Sequence, residues 1–392
     1  MSGLEQHGEL LKYHPNRYAH SRPFFRALFN LYRQSADADG LLPSSAFMRI
    51  GDKLIFEHWN PELERFPVEQ RPVHPTLLVT GEQSMFGHVA RFKICGRNVF
   101  HLSPALTALL RITDVDDVLW SSIRLPYPAF YVWFGPQQEW RFGNGRYSAD
   151  GAYVSAIPND GGIQIFVTTV DPEVDYAHPP SFAVHRDFYY FIAFQFTDAN
   201  ETVGTTLART VGTDADFQRG FQPPPIDPAT ARLADEHGIT LLQKQPEETA
   251  QAKTVEERIA DLQVFRQVLR LLINGLCYLS SPSRELVRRF PQSAVETVSQ
   301  TASGALGKRE RQRLRKDGYT EVIFCGESLE REYGTGFTGK ELSPHWRRGH
   351  WRNQACGPAR SEHRLMWIRP TLVRKDKQAD GDVVGHVYRV SE

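Results

Sequence analysis

Four segments between residues 125 and 197 have the composition of β-strands, and they constrain the fold more than any other part of the chain. They are Leu125–Phe134, Ala152–Ile157, Ile163–Val170 and Arg186–Thr197. The connection PNDGG between the second and third segments is typical of a five-residue, glycine-containing hairpin turn. The last segment, RDFYYFIAFQFT, is apolar on both faces, which favours a central strand. The order of the four segments predicts an antiparallel sheet.

Helix signals lie on both sides of this region. Ser103 before Pro104 has the form of an N-cap followed by a first-turn proline. A T-x-x-E capping box at residues 254–257 precedes apolar residues that recur every three or four positions. That pattern predicts a long helix over 254–279. One or two more helices are expected around 283–300, between prolines.

The chain is long enough, at 392 residues, for two domains with sizeable cores. A proline-rich connector, GFQPPPID, follows the strand region. We predict an α+β fold. Residues 1–245 would form an N-terminal α+β domain with an aromatic-rich antiparallel or mixed sheet. Residues 246–392 would form a C-terminal helical segment plus a small basic β domain. The strands expected in that small sheet are 320–325, 363–373 and 383–390.

The composition bears on where the protein works. No run of the sequence approaches 18 apolar residues, so we expect no membrane span. Residues 1–9 lack the basic-then-apolar pattern of a signal peptide. The four cysteines are widely spaced, which without a signal peptide is typical of reduced thiols. We therefore expect a cytoplasmic protein.

Charge is unevenly distributed along the chain. Lys plus Arg equals Asp plus Glu over the whole sequence, at 46 each, yet residues 281–392 carry 21 basic residues against 14 acidic ones. Such an excess at one end indicates either a polyanion-binding surface or a basic solvated surface. The charge distribution alone leaves both interpretations open.

Residues 343–373, SPHWRRGHWRNQACGPARSEHRLMWIRPTLV, concentrate aromatic, basic and titratable side chains. Gly349 disfavours a helix through the near-repeat HWRRGHWR, so an extended segment with alternating side chains is expected. A β-bulge at Gly349 would shift that alternation by one residue. Trp346 and Trp351 would then share the side that faces the core. The opposite side would carry His345, Arg347, His350 and Arg352.

The arginines of this stretch are candidate RNA-binding residues, because guanidinium forks match phosphate oxygens and their planes stack on unpaired bases. A second basic run, KRERQRLRK, precedes it at residues 308–316. The alternative for such a run is a solvated helix face. The predicted RNA-binding residues are Arg347, Arg348, Arg352, Arg360, Arg364, Lys308, Arg309 and Arg311.

The two histidines of the near-repeat are the candidate catalytic residues. His345 and His350 could act as general base and acid in cleavage through the RNA 2′-hydroxyl, with arginine stabilising the phosphorane charge. The alternative is a hydrogen-bonding, structural pair. His345, His350, Cys356 and His363 are spaced more widely than the ligands of structural zinc sites, so no metal and no other cofactor is predicted.

Several motifs together resemble the type V-A anti-CRISPR family and related phage and plasmid proteins. They are LPYPAFYVWF at residues 125–134, HWRRGHWRNQ at 345–354, GPAR at 357–360 and MWIRPTLV at 366–373. The resemblance implies suppression of the CRISPR effector nuclease through loss of its messenger RNA, triggered by recognition of the nascent chain. Members of the family often have an aromatic residue before the Gly-Pro turn, where this chain has Cys356.

We therefore predict an inhibitor from a mobile element that lowers expression of a target protein. Its partners would be RNA, a ribosome-associated nascent chain of the target, or both, with no membrane. A non-enzymatic mode of action is favoured. Two alternatives stay open: a small metal-independent endoribonuclease, and a protein-binding module with an acidic partner. The sequence fixes neither the target nor the oligomeric state.

Overall fold

The structure is a computed structural model that describes residues 8–65, 75–142, 145–157, 162–179, 189–194, 200–210, 255–290, 309, 312–314, 320–333 and 346–372. Within these residues a large mixed sheet lies between two layers of helices, with a smaller sheet to one side. The predicted α+β class and the aromatic-rich mixed sheet are confirmed. None of the described helices is both long enough and apolar enough to cross a bilayer.

The strands are β1 (Val99–Leu102), β2 (Thr113–Asp114), β3 (Ala129–Trp133), β4 (Arg141–Phe142), β5 (Tyr147–Ile157), β6 (Gly162–Val170), β7 (Tyr189–Phe194), β8 (Leu286–Arg289), β9 (Val322–Cys325), β10 (Trp346–Arg347), β11 (Gly349–Cys356), β12 (Glu362–Ile368) and β13 (Thr371–Leu372). The helices are α1 (Gly8–Leu11), α2 (His14–Ser21), α3 (Phe25–Ser35), α4 (Ser44–Lys53), α5 (Asn60–Leu63), α6 (Pro75–Ile94), α7 (Pro104–Arg111), α8 (Val255–Ser280) and α9 (Glu327–Tyr333). A π-helical segment, Leu54–Trp59, joins α4 to α5, and residues 203–210 are also helical.

The antiparallel half of the large sheet contains the four predicted strand segments, as β3, β5, β6 and β7. The β5–β6 turn, 158–161, lies outside the described residues. The expectation that the last segment is central is wrong, because β7 lies at one end of the strand order β7-β6-β5-β3-β1-β9-β8. Ile192 and Phe194 of β7 are buried by the adjacent layer. The apolar side chains of β7 are therefore explained by the layer that packs against this strand, and not by neighbouring strands on both of its edges.

The other half of the sheet was not foreseen. β1 lies between β3 and β9 and is parallel to both, and β8 pairs antiparallel with β9. The segment 320–325 thus joins the large sheet and not the small C-terminal one. Residues 286–289 form a strand, so the prediction of helix over 283–300 is wrong there. Both errors have one cause: these four-residue strands are specified by partners far away in sequence, which a local pattern does not reveal. Residues 291–300 and 383–390 lie outside the described part.

The two helical layers follow from strict alternation along the strands. Phe100, Phe130 and Ile323 face the side covered by α7 and α8. Val99, Tyr131 and Val322 face the opposite side, which α2, α3 and α6 cover with aromatic side chains and α4 covers with Ile50. Because successive residues of a strand point to opposite faces, each short strand contributes to both cores.

The predicted helix signals are confirmed where the structure describes them. The Ser103 hydroxyl accepts a hydrogen bond from the Leu106 amide at 3.2 Å and caps α7. The long helix α8 spans Val255–Ser280, and its apolar stripe is buried against the sheet. The division at residue 245 stays a prediction, because 211–254 lie outside the described residues. The described residues on both sides of it share one sheet and one core.

A buried ion pair joins α2 to the sheet. One guanidinium nitrogen of Arg17 lies 2.7 Å from an Asp150 carboxylate oxygen, and both side chains are buried. The same nitrogen donates to the Thr169 carbonyl, and the Thr168 hydroxyl donates to the other oxygen of Asp150. Burial lowers the pKa of Arg17, but the charge of Asp150 and the nearby Tyr131 and Tyr176 outweigh it, so the pKa is raised. Arg17 therefore stays charged and depends on its counter-charge.

Asp150→Ala should lower the free energy of unfolding by about 3–5 kcal/mol, because it leaves the Arg17 charge buried without compensation. The double variant Arg17→Met/Asp150→Leu should recover much of that loss, since it removes both charges together. Urea unfolding followed by circular dichroism measures both effects. Glu57→Ala, which removes an exposed ion pair with Lys53, is the control and should have a far smaller effect. A single variant as stable as the wild type would contradict this interpretation.

Two buried histidines should make the protein sensitive to acid. Burial, and then the charges of Lys12 and Arg289, lowers the pKa of His101 to about 3. Burial, and then Arg91, lowers the pKa of His88 to about 4. The unfolded chain takes up these protons near pH 6.5, so stability is complete above that pH and is lost as the pH falls towards the folded values.

We expect the free energy of unfolding to fall by up to about 1.4 kcal/mol per pH unit for each of these histidines below pH 6.5. His101→Asn retains an acceptor for the hydroxyl of Tyr13, which lies 2.8 Å from the His101 Nδ1 atom. This variant should show a shallower pH dependence between pH 6.5 and 4.5. Denaturant unfolding across that range tests the expectation, and an unchanged slope would contradict it.

Candidate nucleic-acid interface

The stretch of Trp, His and Arg residues forms a β-hairpin of β11 and β12, here called the C-terminal hairpin. The two strands pair antiparallel, from His350 opposite Ile368 to Cys356 opposite Glu362. β2 adds to the other edge of β11 in parallel, so the hairpin is attached to the N-terminal half of the chain. β10 and β13 form a separate two-stranded pairing at the base.

The inner face of the C-terminal hairpin is a tryptophan pair. The rings of Trp351 and Trp367 stack with centroids 6.0 Å apart and an interplanar angle of 22°. Tyr278 of α8 meets Trp367 edge-on at 5.9 Å. Both tryptophans and Leu365 belong to the main core. This packing fixes one face of the hairpin and directs the alternate side chains away from the core.

A polar node beneath the tryptophans holds the hairpin in register. The Trp351 indole N–H donates to Asn274 Oδ1 at 2.6 Å, and Asn274 Nδ2 donates to the Thr113 carbonyl at 3.0 Å. The Trp367 indole N–H donates to the Thr113 hydroxyl at 3.2 Å. Asn274 is 1% exposed. Sequence reasoning missed both partners, although the single asparagine inside the apolar run LLINGL of α8 was an available signal.

Gly349 has a different role from the one predicted. The β11–β12 pairing runs without a register shift. The extended segment is interrupted at Arg348, between β10 and β11. A Cβ atom at Gly349 would lie 2.7 Å from the Thr113 hydroxyl and 2.8 Å from Pro370 Cδ. Glycine is needed because two neighbouring segments approach the backbone this closely, and not because of a bulge.

The outer face of the C-terminal hairpin consists of His350, Arg352, Gln354, Arg364, Met366 and Ile368. Paired residues share a face, so His350 lies beside Ile368, Arg352 beside Met366 and Gln354 beside Arg364. His350, Arg352 and Arg364 are exposed, and Ile368 is 40% exposed. The predicted separation of Trp351 from His350 and Arg352 is therefore observed.

Five of the predicted RNA-binding arginines are exposed on or beside the hairpin: Arg347, Arg348, Arg352, Arg360 and Arg364. Within the described part of the chain, the first four form no ion pair. Arg364 lies 3.7 Å from Glu362, and both side chains are 60% exposed, so solvent and salt screen that pair. Arg369 is different, because it binds Glu332 at 3.3 Å and lies over the Trp367 ring.

The remaining predicted residues are described only in part. Arg309 is exposed. His345, Lys308 and Arg311 lie outside the described residues, and of Trp346 only the backbone is described, in β10. The geometry of the proposed His345–His350 catalytic pair therefore stays a prediction.

The surroundings of His350 are acidic on one side. Its Cα pairs with that of Asp114 across β11 and β2. Arg270 of α8 binds Asp114 at 3.2 Å and Asp116 at 2.5 Å. These two aspartates thus pair with α8 beside the hairpin.

The positions of the possible metal ligands argue against a shared site. His350 and Cys356 lie near opposite ends of β11, about 20 Å apart at 3.4 Å per residue. His363 lies opposite Ala355, far from His350. Among the described residues, no group of three or more His, Cys, Asp or Glu side chains could hold a metal ion.

Comparison with protein families matches residues 100–375 to the AcrVA2-like family, the anti-CRISPR type V subtype A2 family. The chain belongs to this family. Among solved structures, a crystal structure of AcrVA2 aligns over 92% of this chain and 97% of its own, at 13% identity and a TM-score of 0.40. No curated protein matches the chain significantly.

The AcrVA2-like match begins within β1 and ends just beyond β13. It therefore includes most of the large sheet, the helix α8 and the whole C-terminal hairpin. Helices α1–α6, of which α2, α3, α4 and α6 cover one face of the sheet, precede the matched residues. The family resemblance drawn from the sequence is confirmed at this level.

Asn274→Ala should destabilise the protein by about 1–3 kcal/mol for each buried group that it leaves unpaired, namely the Trp351 N–H and the Thr113 carbonyl. Thermal and urea unfolding measure the loss. In a double-mutant cycle, Trp351→Phe should cost less in the Asn274→Ala background than in the wild type. Asn353→Ala, at an exposed position on the same strand as Trp351, is the matched control. Strict additivity of the two substitutions would contradict a shared hydrogen bond.

Proposed function

We propose that this anti-CRISPR protein lowers expression of a CRISPR effector nuclease by binding RNA through the outer face of the C-terminal hairpin. The RNA would be the effector's messenger RNA, engaged together with the nascent chain at the ribosome. This mode of action needs no membrane and no cofactor, and it places the protein in the cytoplasm of a cell carrying a mobile element. The observation that supports it is a cluster of exposed arginines on a hairpin whose other face is fixed in the core.

The arginines are suited to phosphate because, within the described structure, only Arg364 has an acidic partner, and that pair with Glu362 is solvent-screened. Arg352 and Arg364 are diagonal neighbours across the two strands, with Cα atoms about 7–8 Å apart. Two guanidinium forks at that spacing can each take a phosphate of one strand. Their fixed positions reduce the ordering entropy lost on binding.

The hairpin also limits how bases would be recognised. Trp351 and Trp367 are buried, so neither offers a surface for base stacking. Unpaired bases would instead stack on the arginine guanidinium planes, beside the apolar surface of Met366 and Ile368. We therefore propose binding that is dominated by phosphate contacts and weakly selective for sequence.

Binding of single-stranded RNA should weaken steeply with salt. If Arg347, Arg348, Arg352, Arg360 and Arg364 each contact one phosphate, the slope of log affinity against log salt concentration is about −3.5, at about −0.7 per contact. Arg352→Ala/Arg364→Ala should reduce its magnitude by about 1.4. Fluorescence anisotropy with labelled RNA measures both. Arg33→Ala, an exposed arginine on α3, is the control. Salt-independent binding would exclude the model.

The same variants separate the proposed function from its alternatives in cells that produce the effector. Wild type and Arg33→Ala should lower the effector's messenger RNA, and Arg352→Ala/Arg364→Ala should not. Chelator-resistant RNA cleavage by the purified protein, abolished in His350→Ala, would instead establish the endoribonuclease. Retained suppression by the double variant, with an acidic protein co-purifying, would establish the protein-binding module.

A further inference from the structure

A second basic surface lies away from the outer face of the hairpin, in a cavity of about 560 Å³. Strand β8, the C-terminal end of α8 and residues 124–127 enclose it. Ligand sites of small molecules typically have volumes of about 300–1,000 Å³. None of the hairpin arginines lines this cavity, so the site is independent of the function proposed above.

Among the described residues, three arginines line the cavity and no carboxylate does. Arg284 donates to the Leu279 carbonyl at 3.0 Å, at the end of α8. Arg288 donates to Asn98 Oδ1 and to the Tyr127 hydroxyl, both at 3.0 Å. The Arg124 side chain has no ion pair or hydrogen bond within the described residues. All three side chains are exposed and have only neutral partners among the described residues, so a bound anion would be attracted to each of them.

The rest of the lining is apolar and aromatic. Phe100 of β1, Ile323 of β9 and Arg288 of β8 are successive neighbours across three strands, so they form one row on the sheet surface. The Tyr127 ring lies 6.1 Å from that of Phe100. Phe100 and Ile323 are themselves buried, so the apolar surface open to the cavity is that of Leu125, Tyr127 and Leu286, next to the guanidinium cluster. A ligand that fits needs a planar apolar part joined to concentrated negative charge.

We propose that this cavity binds a nucleoside phosphate. The phosphates would lie among Arg124, Arg284 and Arg288, where guanidinium forks bind oxygens in pairs. The base would lie against Tyr127, beside the exposed side chain of Leu286. The phosphate group can come from a free nucleotide or from one nucleotide of an RNA strand. An acidic peptide supplies charge but spreads it along an extended chain, whereas a nucleoside phosphate concentrates it at one end of the ligand.

A second cavity, of about 540 Å³, differs from the three-arginine cavity in its charge. It contains Glu327 and Glu330 besides Arg331. Glu327 pairs with Arg289, and Glu330 accepts a hydrogen bond from the Ala105 amide at 2.6 Å. Acidic groups and their internal partners already balance the charge there. The second cavity therefore lacks the excess of positive charge that the three-arginine cavity has.

The test is isothermal titration of the full-length protein with ATP, adenosine, inorganic triphosphate, a short single-stranded RNA and a poly-glutamate peptide. ATP should bind more tightly than adenosine or triphosphate alone. Arg124→Glu should weaken ATP binding by about tenfold or more, as expected for loss of a charge-assisted hydrogen bond. The Arg124 main-chain bond to Ser280 is retained, so the variant should fold normally, which its melting temperature verifies. Arg33→Glu is the matched control.

Each outcome is decisive. ATP binding that Arg124→Glu weakens and Arg33→Glu does not would support a site for a free nucleotide. Binding of RNA but not ATP, with the same dependence on Arg124, would support the site with an RNA strand as its source. Binding of the peptide alone, or of none of the ligands, would overturn the proposal. Arg352→Ala/Arg364→Ala should leave ATP binding unchanged, so this result is separate from that of the hairpin.

Discussion

The parallel pairing of β1 with β9 is the constraint on which the rest of the structure depends. It joins Val99–Leu102 to Val322–Cys325, more than 200 residues away in the sequence. The alternation along both strands supplies Phe100 and Ile323 to one core and Val99 and Val322 to the other. Without this pairing, the β8–β9 pair would be separated from the sheet, which would end at β1. The helices on both faces would then lose part of the surface against which they pack.

The C-terminal hairpin depends on that framework through α8. Its tryptophans have apolar rings that favour burial and indole N–H groups that require an acceptor. Asn274 and Thr113 meet this requirement, one from α8 and the other from β2. If the hairpin packed in another position, these buried polar groups would lose their partners, at a cost of about one hydrogen bond each. The hydrogen bonds of Asn274 and Thr113 therefore specify one position of the hairpin on the core. The outer face is exposed because the inner face is held this way.

Two basic surfaces result, and they differ in kind. The outer face of the hairpin is open and presents charge along two strands, which suits a long polyanion. The three-arginine cavity is a partly open depression that places its charge beside the apolar surface of Tyr127 and Leu286, which suits one compact ligand. The overall charge of the chain is balanced, so both surfaces arise from where the fold places arginine and not from a general excess.

Local pattern was enough to predict the four aromatic strands, the capped start of α7, the helix α8, and the burial of Trp351 opposite His350 and Arg352. In each case, a period of two or 3.6 residues decides which side chains meet the core. The family resemblance likewise rested on contiguous motifs. Only the tertiary structure decided the parallel strands β1 and β9, the strand at 286–289, the edge position of β7, the close approach that requires Gly349, and the convergence of Arg124, Arg284 and Arg288. These features depend on contacts between residues that are distant in the chain. Such contacts produce no periodic pattern in the local sequence, so the sequence did not predict them.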